Sequence, residues 1–266
     1  MAEPIIEVKH LVAHYGEKLV LDDVSFPVNR GEIFVIIGGS GCGKTTLLKH
    51  MTGLLTPTSG QVIHSGTDIT KLDEDELNAI QRNIGIAFQS GGLFNSMTVG
   101  DNVALPLREY GAVDEALVSA MVRLKLSLVG LGAAEDLMPD ELSGGMRKRA
   151  GLARAIALDP PIIFFDEPSA GLDPIMASGL DDLILNLKRL LGITFIIVTH
   201  ELDSIRKISD RILMLDQGSA IFLGNLKEAE TSDVPRVRQF FERQADEFIA
   251  QRVTKATGNA DVDAAE

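Results

Sequence analysis

The 266-residue chain carries a net charge of −13 and 45% hydrophobic residues, enough apolar content for one α/β core or two closely packed lobes, but too short for two independent domains. Its longest apolar runs, such as residues 33–37 and 162–165, fall far short of the roughly 20 residues a membrane-crossing helix needs. The acidic balance repels nucleic-acid backbones and anionic headgroups, and the basic run Arg147, Lys148, Arg149 is too short to offset it, so nucleic acid is not an expected partner.

Residues 1–5 lack the basic region and apolar core of a secretory signal, and the single cysteine, Cys42, offers no internal disulfide; the expected location is the cytoplasm. Residues 5–11 and 19–26 have the β-branched content and partial alternation of antiparallel strands, forming a small β lobe. Residues 33–37 form a continuous apolar run, glycines follow, and helix formers extend over 45–55 before the break at 56–60. From about 98 to 138 the spacing predicts helices, with an apolar stripe of Leu117, Met121, Leu124 and Leu128. This stretch reads as a helical subdomain inserted at about 91–150 in a domain spanning 1–234. Two more buried-strand runs, 161–165 and 194–198, flank a helical stretch at 176–191, and strands alternating with helices imply a parallel sheet. In the C-terminal segment 235–266, Val237, Phe240, Phe241, Ala245, Phe248, Ile249 and Val253 recur at helical steps. The mixed charge on the other face suits docking on protein, either its own subunit or a partner copy, and the polar residues 254–266 are expected to be disordered.

Gly38, Gly39, Ser40, Gly41, Cys42, Gly43, Lys44 and Thr45 match the phosphate-loop pattern G-x-x-x-x-G-K-[ST], with Thr46 next, and they lie between a buried strand and a helix, as the mechanism requires. Glycines let successive N–H groups turn inward, and the helix adds its positive end to hold the phosphates of ATP. Lys44 is expected to neutralise β- and γ-oxygens and the Thr45 hydroxyl to ligate Mg²⁺. Cys42, between two glycines and near Lys44, is expected to favour the thiolate, with an inert filler residue as the alternative. Residues 162–167 are an apolar strand ending in two carboxylates. Asp166 suits the magnesium shell, and Glu167 suits orienting or deprotonating the attacking water. An isolated Asp-Glu pair would read as a solvated strand end; this pair has company.

With Leu142, Ser143, Gly144, Gly145 and Met146 just ahead of Asp166 and Glu167, the chain resembles the ABC (ATP-binding cassette) ATPases over roughly residues 4–225. The resemblance implies an α/β P-loop NTPase fold with a mixed or parallel core sheet, an antiparallel β lobe and a helical subdomain. It implies that Gln89 forms the glutamine loop at the metal and the attacking water, that residues 169–173 form the D-loop ending in Asp173, that His200 is the switch histidine, and that Tyr15 stacks on adenine. Ser143, Gly144 and Gly145 would serve the nucleotide held by the opposite subunit. Met146 stands where the commoner version has Gln, which leaves the hydroxyl and N–H donors in place. One phosphate loop and one such element per chain then require a second copy, in a head-to-tail two-fold pair.

Residues 88–99, 102–109, 137–146 and 235–240 resemble the ATPases of Mla-type phospholipid transport systems. That likeness implies an integral-membrane permease, an MCE-domain lipid-binding protein, a small STAS-domain protein, and a place at the cytoplasmic face of the inner membrane. Two alternatives remain: a cassette for another cargo, such as amino acids or a drug, and a soluble ABC protein acting without a permease. The soluble kind usually carries two fused cassettes or a long coiled-coil insertion, and neither fits in 266 residues.

Overall fold

The computed structural model describes residues 4–110 and 114–243. In chain order the strands and helices are β1 (Pro4–Tyr15), β2 (Lys18–Asn29), β3 (Ile33–Gly38), α1 (Lys44–Met51), β4 (Ser59–His64), β5 (Thr67–Asp68), α2 (Glu74–Gln81), β6 (Ile84–Ala87) and α3 (Val99–Tyr110). They continue as α4 (Glu115–Leu128), α5 (Gly144–Ala155), β7 (Ile162–Asp166), α6 (Pro174–Leu191), β8 (Thr194–Val198), α7 (Leu202–Ile208), β9 (Arg211–Asp216), β10 (Ser219–Gly224), α8 (Leu226–Glu230) and α9 (Pro235–Phe241).

Two sheets result. β2-β1-β4-β5 is antiparallel, and the six-stranded sheet runs β10-β9-β3-β8-β7-β6. In the larger sheet β9, β3, β8, β7 and β6 are parallel, with β10 antiparallel at one edge. The mixed core sheet and antiparallel lobe expected from the sequence are both present.

The continuous apolar runs have a direct cause: the central strands are covered on both faces. Ile33, Val35 and Ile37 of β3 join Ile163, Phe165, Phe195 and Ile197 in a core shared with the helices. Phe34 and Ile36 turn the other way, to the core shared with the antiparallel sheet and α1, together with Ile162, Phe164, Ile196 and Val198. Phe34 stacks on Phe26 of β2, ring centroids 5.3 Å apart, joining the two sheets. Each such side chain removed from water contributes roughly 1.5–3 kcal/mol.

Two sequence expectations need correction. The helix after the phosphate loop stops at Met51, not Leu55: Gly53, at φ 72°, takes the chain out of the helix. In α4 the buried residues are Val118, Val122, Lys125 and Leu126, whereas Leu117 and Leu124 are exposed; Met121 and Leu128 pack at the margin. Both sets have helical spacing, and the leucines mark the wrong phase. α9 buries Val237 and Phe241 in the core of its own chain. Residues Ala245, Phe248, Ile249 and Val253, and the tail 254–266, lie outside the described residues. Among the described residues no helix is long and apolar enough to cross a membrane.

Candidate active site

β3 delivers the phosphate loop to the carboxyl edge of the parallel sheet, where open α/β sheets bind ligands. The loop can take its shape only with glycine at its ends. Gly38 has φ 148°, and a Cβ there would lie 2.3 Å from the Leu215 carbonyl oxygen; Gly43 has φ 105°, and its Cβ would lie 2.7 Å from Leu21 Cδ2. Gly43 is also the N-cap of α1 and supplies no side-chain acceptor, which leaves first-turn N–H groups available to an anion. Lys44 Nζ donates to the carbonyls of Gly38 and Gly39 at 2.8 and 2.9 Å, folded back over the loop it serves.

Cys42 departs from expectation. Its side chain is buried, and burial pushes the thiol up, with Lys44 only partly offsetting it. The helix start and the lysine do not make this thiolate favourable; desolvation of the charged form dominates.

β7 places the two carboxylates. Asp166 pairs in register with Val198 of β8, and burial first, then the neighbouring Glu167, push its carboxyl above the usual carboxylate range. Glu167 leaves the strand at φ 48°, a left-handed conformation that costs a non-glycine residue about 1–3 kcal/mol and persists only where surroundings enforce it. Its N–H donates to the Val198 carbonyl at 2.8 Å, and its carbonyl accepts from Lys148 Nζ at 3.0 Å. Glu167 Oε1 accepts from His200 Nδ1 at 2.9 Å, which assigns the proton of that nitrogen to the shared bond, a carboxylate being an acceptor only. Glu167 Oε2 is buried without a hydrogen-bond partner.

Lys44, Gln89, Glu167 and His200 line one cavity of about 680 Å³, together with Gly38, Gly39 and Ser40 of the loop. Gln89 comes from the turn after β6, and His200 follows β8, whose end is tied to β3 by Thr199 N–H to the Ile36 carbonyl at 3.3 Å. Sequence reasoning missed one wall of this cavity. Arg236 and Arg243, on and just after α9, also face it, and a Cβ on Gly39 would lie 3.4 Å from Arg236 Nη2. Arg236 is anchored by Gln239 at 2.7 Å and Asp216 at 3.6 Å. Local sequence gives no signal of this approach, which spans nearly the whole chain.

The remaining candidates stand elsewhere. Ser143 caps α5, accepting from Met146 N–H at 3.3 Å, so the helix starts at Gly144. Asp173 caps α6, accepting from Ile175 and Met176 N–H groups at 3.0 Å. Neither Ser143, Gly144 and Gly145 nor Asp173 nor Tyr15 lines the cavity of Lys44 and Glu167. Tyr15 ends β1 with 52% of its surface exposed, and Thr45 and Thr46 occupy the first turn of α1.

Residues 21–170 match the ABC transporter family. The chain belongs to that family. As an ABC cassette it is an ATPase. It is 42% identical over 246 residues to the intermembrane phospholipid transport system ATP-binding protein MlaF of Haemophilus influenzae, covering 92% of this chain and 93% of that one. Identity to MlaF of Escherichia coli K12 is 38% over 258 residues, covering 97% and 96%. A probable ribonucleotide transport ATP-binding protein, mkl of Mycobacterium leprae, is 44% identical over 235 residues, 88% of this chain and 68% of the relative. Among solved structures, the dimeric post-hydrolysis state of the cassette MJ0796 bound to ADP and Pi superposes with a TM-score of 0.76 at 32% identity, covering 83% of this chain and 98% of that one.

The residues fit Mg²⁺ with ATP. A carboxyl whose ionisation is opposed by burial, Asp166, stands beside an orphaned buried oxygen of Glu167, and a divalent cation relieves that penalty. Among the described residues no group of three or more His, Cys, Asp or Glu forms a metal cage; Mg²⁺ bound through one or two protein oxygens and substrate phosphates needs none.

Proposed function

We propose that this cassette powers phospholipid transport between membranes through a permease partner, working as a head-to-tail pair at the cytoplasmic face of the inner membrane. The near full-length likeness to two MlaF proteins supports the cargo. The dimeric state of MJ0796 supports the pairing, as does the separation of Ser143, Gly144 and Gly145 from the cavity of their own chain. In the pair, those residues and Asp173 complete the site of the opposite copy, and Tyr15 packs on adenine. STAS-domain and MCE-domain proteins complete the assembly.

The observation that carries the chemistry is Glu167. One oxygen is held by His200 and the other is buried beside the cavity without a hydrogen-bond partner, so a small turn of the carboxylate would present it to water as a proton acceptor. Lys44 would release the loop carbonyls to meet the phosphates, and Thr45, Asp166 and Gln89 would hold Mg²⁺. When bound there, the ion would supply charge neutralisation to the phosphates of ATP. His200 keeps the carboxylate aimed and lies on the γ-phosphate side of the same sheet edge.

The name of the mycobacterial relative offers ribonucleotides as a second cargo. A cassette touches the permease rather than the cargo, so the test lies in the assembly. Co-expression with the membrane partners, purification in detergent and mass spectrometry of the bound cargo is expected to yield phospholipid. Recovery of nucleotides at the translocation site, or of the cassette without any membrane protein, overturns the reading.

A further inference from the structure

Lys148 is a buried lysine that the reaction outlined above does not use. It lies one turn into α5, the helix that opens with Gly144 and Gly145. Only 5% of it is exposed, and its Nζ donates to the main-chain carbonyl of Glu167 at 3.0 Å. Burial pulls its ammonium down from the usual lysine range, against the opposing charge of Glu167. A desolvated ammonium is costly and is retained only where a specific acceptor takes it.

The acceptor is the peptide that most needs holding. Glu167 sits at φ 48°; its N–H is fixed to Val198 at 2.8 Å, and its carbonyl has Lys148 and, at 3.3 Å, the Ala170 N–H. With the peptide planes on both sides pinned, the direction of the Cα–Cβ bond is set. Oε1 then reaches His200 while Oε2 stays unpartnered in the cavity wall. Freed from Lys148, the peptide can leave the left-handed region, and the carboxylate turns with it.

We propose that Lys148 is a positioning residue for the hydrolytic base, tethering the Glu167 carbonyl to α5, the helix that begins at Gly144. The proposal rests on the reading of Glu167 as that base. It acts on turnover and not on nucleotide binding, because the lysine meets the base through its backbone rather than the cavity.

Lys148→Met removes the donor and keeps the stem; Lys148→Arg keeps donor and charge. In the full-length chain, Lys148→Met is expected to lower kcat about 10- to 100-fold, the scale of a reacting group misplaced by about an ångström. KM and affinity for a non-hydrolysable ATP analogue stay within about twofold, the pattern of a lost transition-state interaction. Lys148→Arg recovers most of the turnover. In a Glu167→Gln background, Lys148→Met lowers residual turnover no further, since the two act as a unit. Should the Met chain not fold, Lys148→Gln, a shorter neutral donor, is read the same way, with kcat reduced and KM kept. Wild-type kcat in the variant overturns the proposal, as does a parallel loss of kcat, ATP affinity and melting temperature that Arg does not rescue, or an additive loss in the Gln background. Normal turnover by Glu167→Gln alone sinks the base reading; normal turnover by Lys148→Met beside a slow Glu167→Gln sinks only the tether.

Discussion

His200 Nδ1 lies 2.9 Å from Glu167 Oε1, so the residues that follow β7 and β8 form one unit across adjacent parallel strands. The pairing of Asp166 with Val198 and the Glu167 N–H bond to the Val198 carbonyl place the pair. One oxygen of Glu167 is committed to His200, and the other is buried without a hydrogen-bond partner. The strained backbone of Glu167 is consistent with a fold that spends stability to aim a side chain.

Replacing Glu167 with Gln keeps the shape and the His200 contact while removing the base. Hydrolysis is expected to slow by about 10² or more, the scale of a lost general base. ATP binding persists, and the variant accumulates as an ATP-bound dimer. Single-turnover hydrolysis and particle size in ATP check this; a monomer that hydrolyses normally refutes the assignment.

The phosphate loop and Glu167 were legible in the sequence because each obeys a local rule, glycines before a helix or carboxylates ending an apolar strand, whereas Gln89 and His200 stood out only through the resemblance to the ABC ATPases. Lys148 was not, since beside Arg147 and Arg149 it reads as part of a basic surface run. Its helical spacing from Gly145 and Leu152, both buried, was the signal that could have found it. The α4 stripe misled because leucines at 117 and 124 outshine valines at 118 and 122, and only the neighbouring helices decide which set turns inward. Arg236 at the loop is a tertiary fact, set by α9 docking at the end of β9, and no spacing rule reaches from 236 to 39.

Cys42 is expected to react slowly with thiol reagents at neutral pH, because its side chain is buried and its thiol is pushed up by that burial. Cys42→Ser is expected to leave ATPase activity nearly unchanged, since backbone N–H groups bind the phosphates. Labelling kinetics against a free thiol decide: a rate above that of the free thiol shows an activated thiolate and overturns the assignment.

His64 predicts a pH dependence. It is buried, its Nε2–H donates to the Met51 carbonyl at 2.7 Å, and burial lowers its pKa from 6.5 to about 4. The unfolded chain therefore binds a proton that the fold refuses between those values. The stabilisation is fully present above pH 6.5 and is lost as pH falls toward about 4. The gap corresponds to about 3 kcal/mol at ~1.4 kcal/mol per pH unit. His64→Gln can keep the donor and does not titrate. Denaturant unfolding of both chains across this range is expected to show a shallower acid slope for the variant; parallel slopes reject the role of His64.

The C-terminal helix yields the last prediction, and the structure changes its form. Sequence alone left open whether this helix docks on its own subunit or on a partner copy. Yet Val237 is fully buried and Phe241 nearly so, both in the core of their own chain, and Phe240 meets Phe241 edge to face at 5.5 Å. Losing two such side chains removes roughly 1.5–3 kcal/mol each, before the ordering entropy of the helix is returned. The same cut strips Arg236 and Arg243 from the wall of the phosphate cavity, and a cation near a polyphosphate contributes attraction that falls with salt. Truncation after Asp233 is therefore expected to lower the melting temperature without ATP and to weaken ATP binding, more so at low salt. A second truncation, after Arg243, keeps α9 and removes only residues 244–266. Its melting temperature and ATP affinity are expected to match the full chain, so any loss of association seen by sedimentation belongs to the removed segment reaching the other subunit. Identical sedimentation of that shorter chain rejects the cross-subunit role, and identical melting of the chain cut after Asp233 rejects the packing of α9 as a stabilising contact.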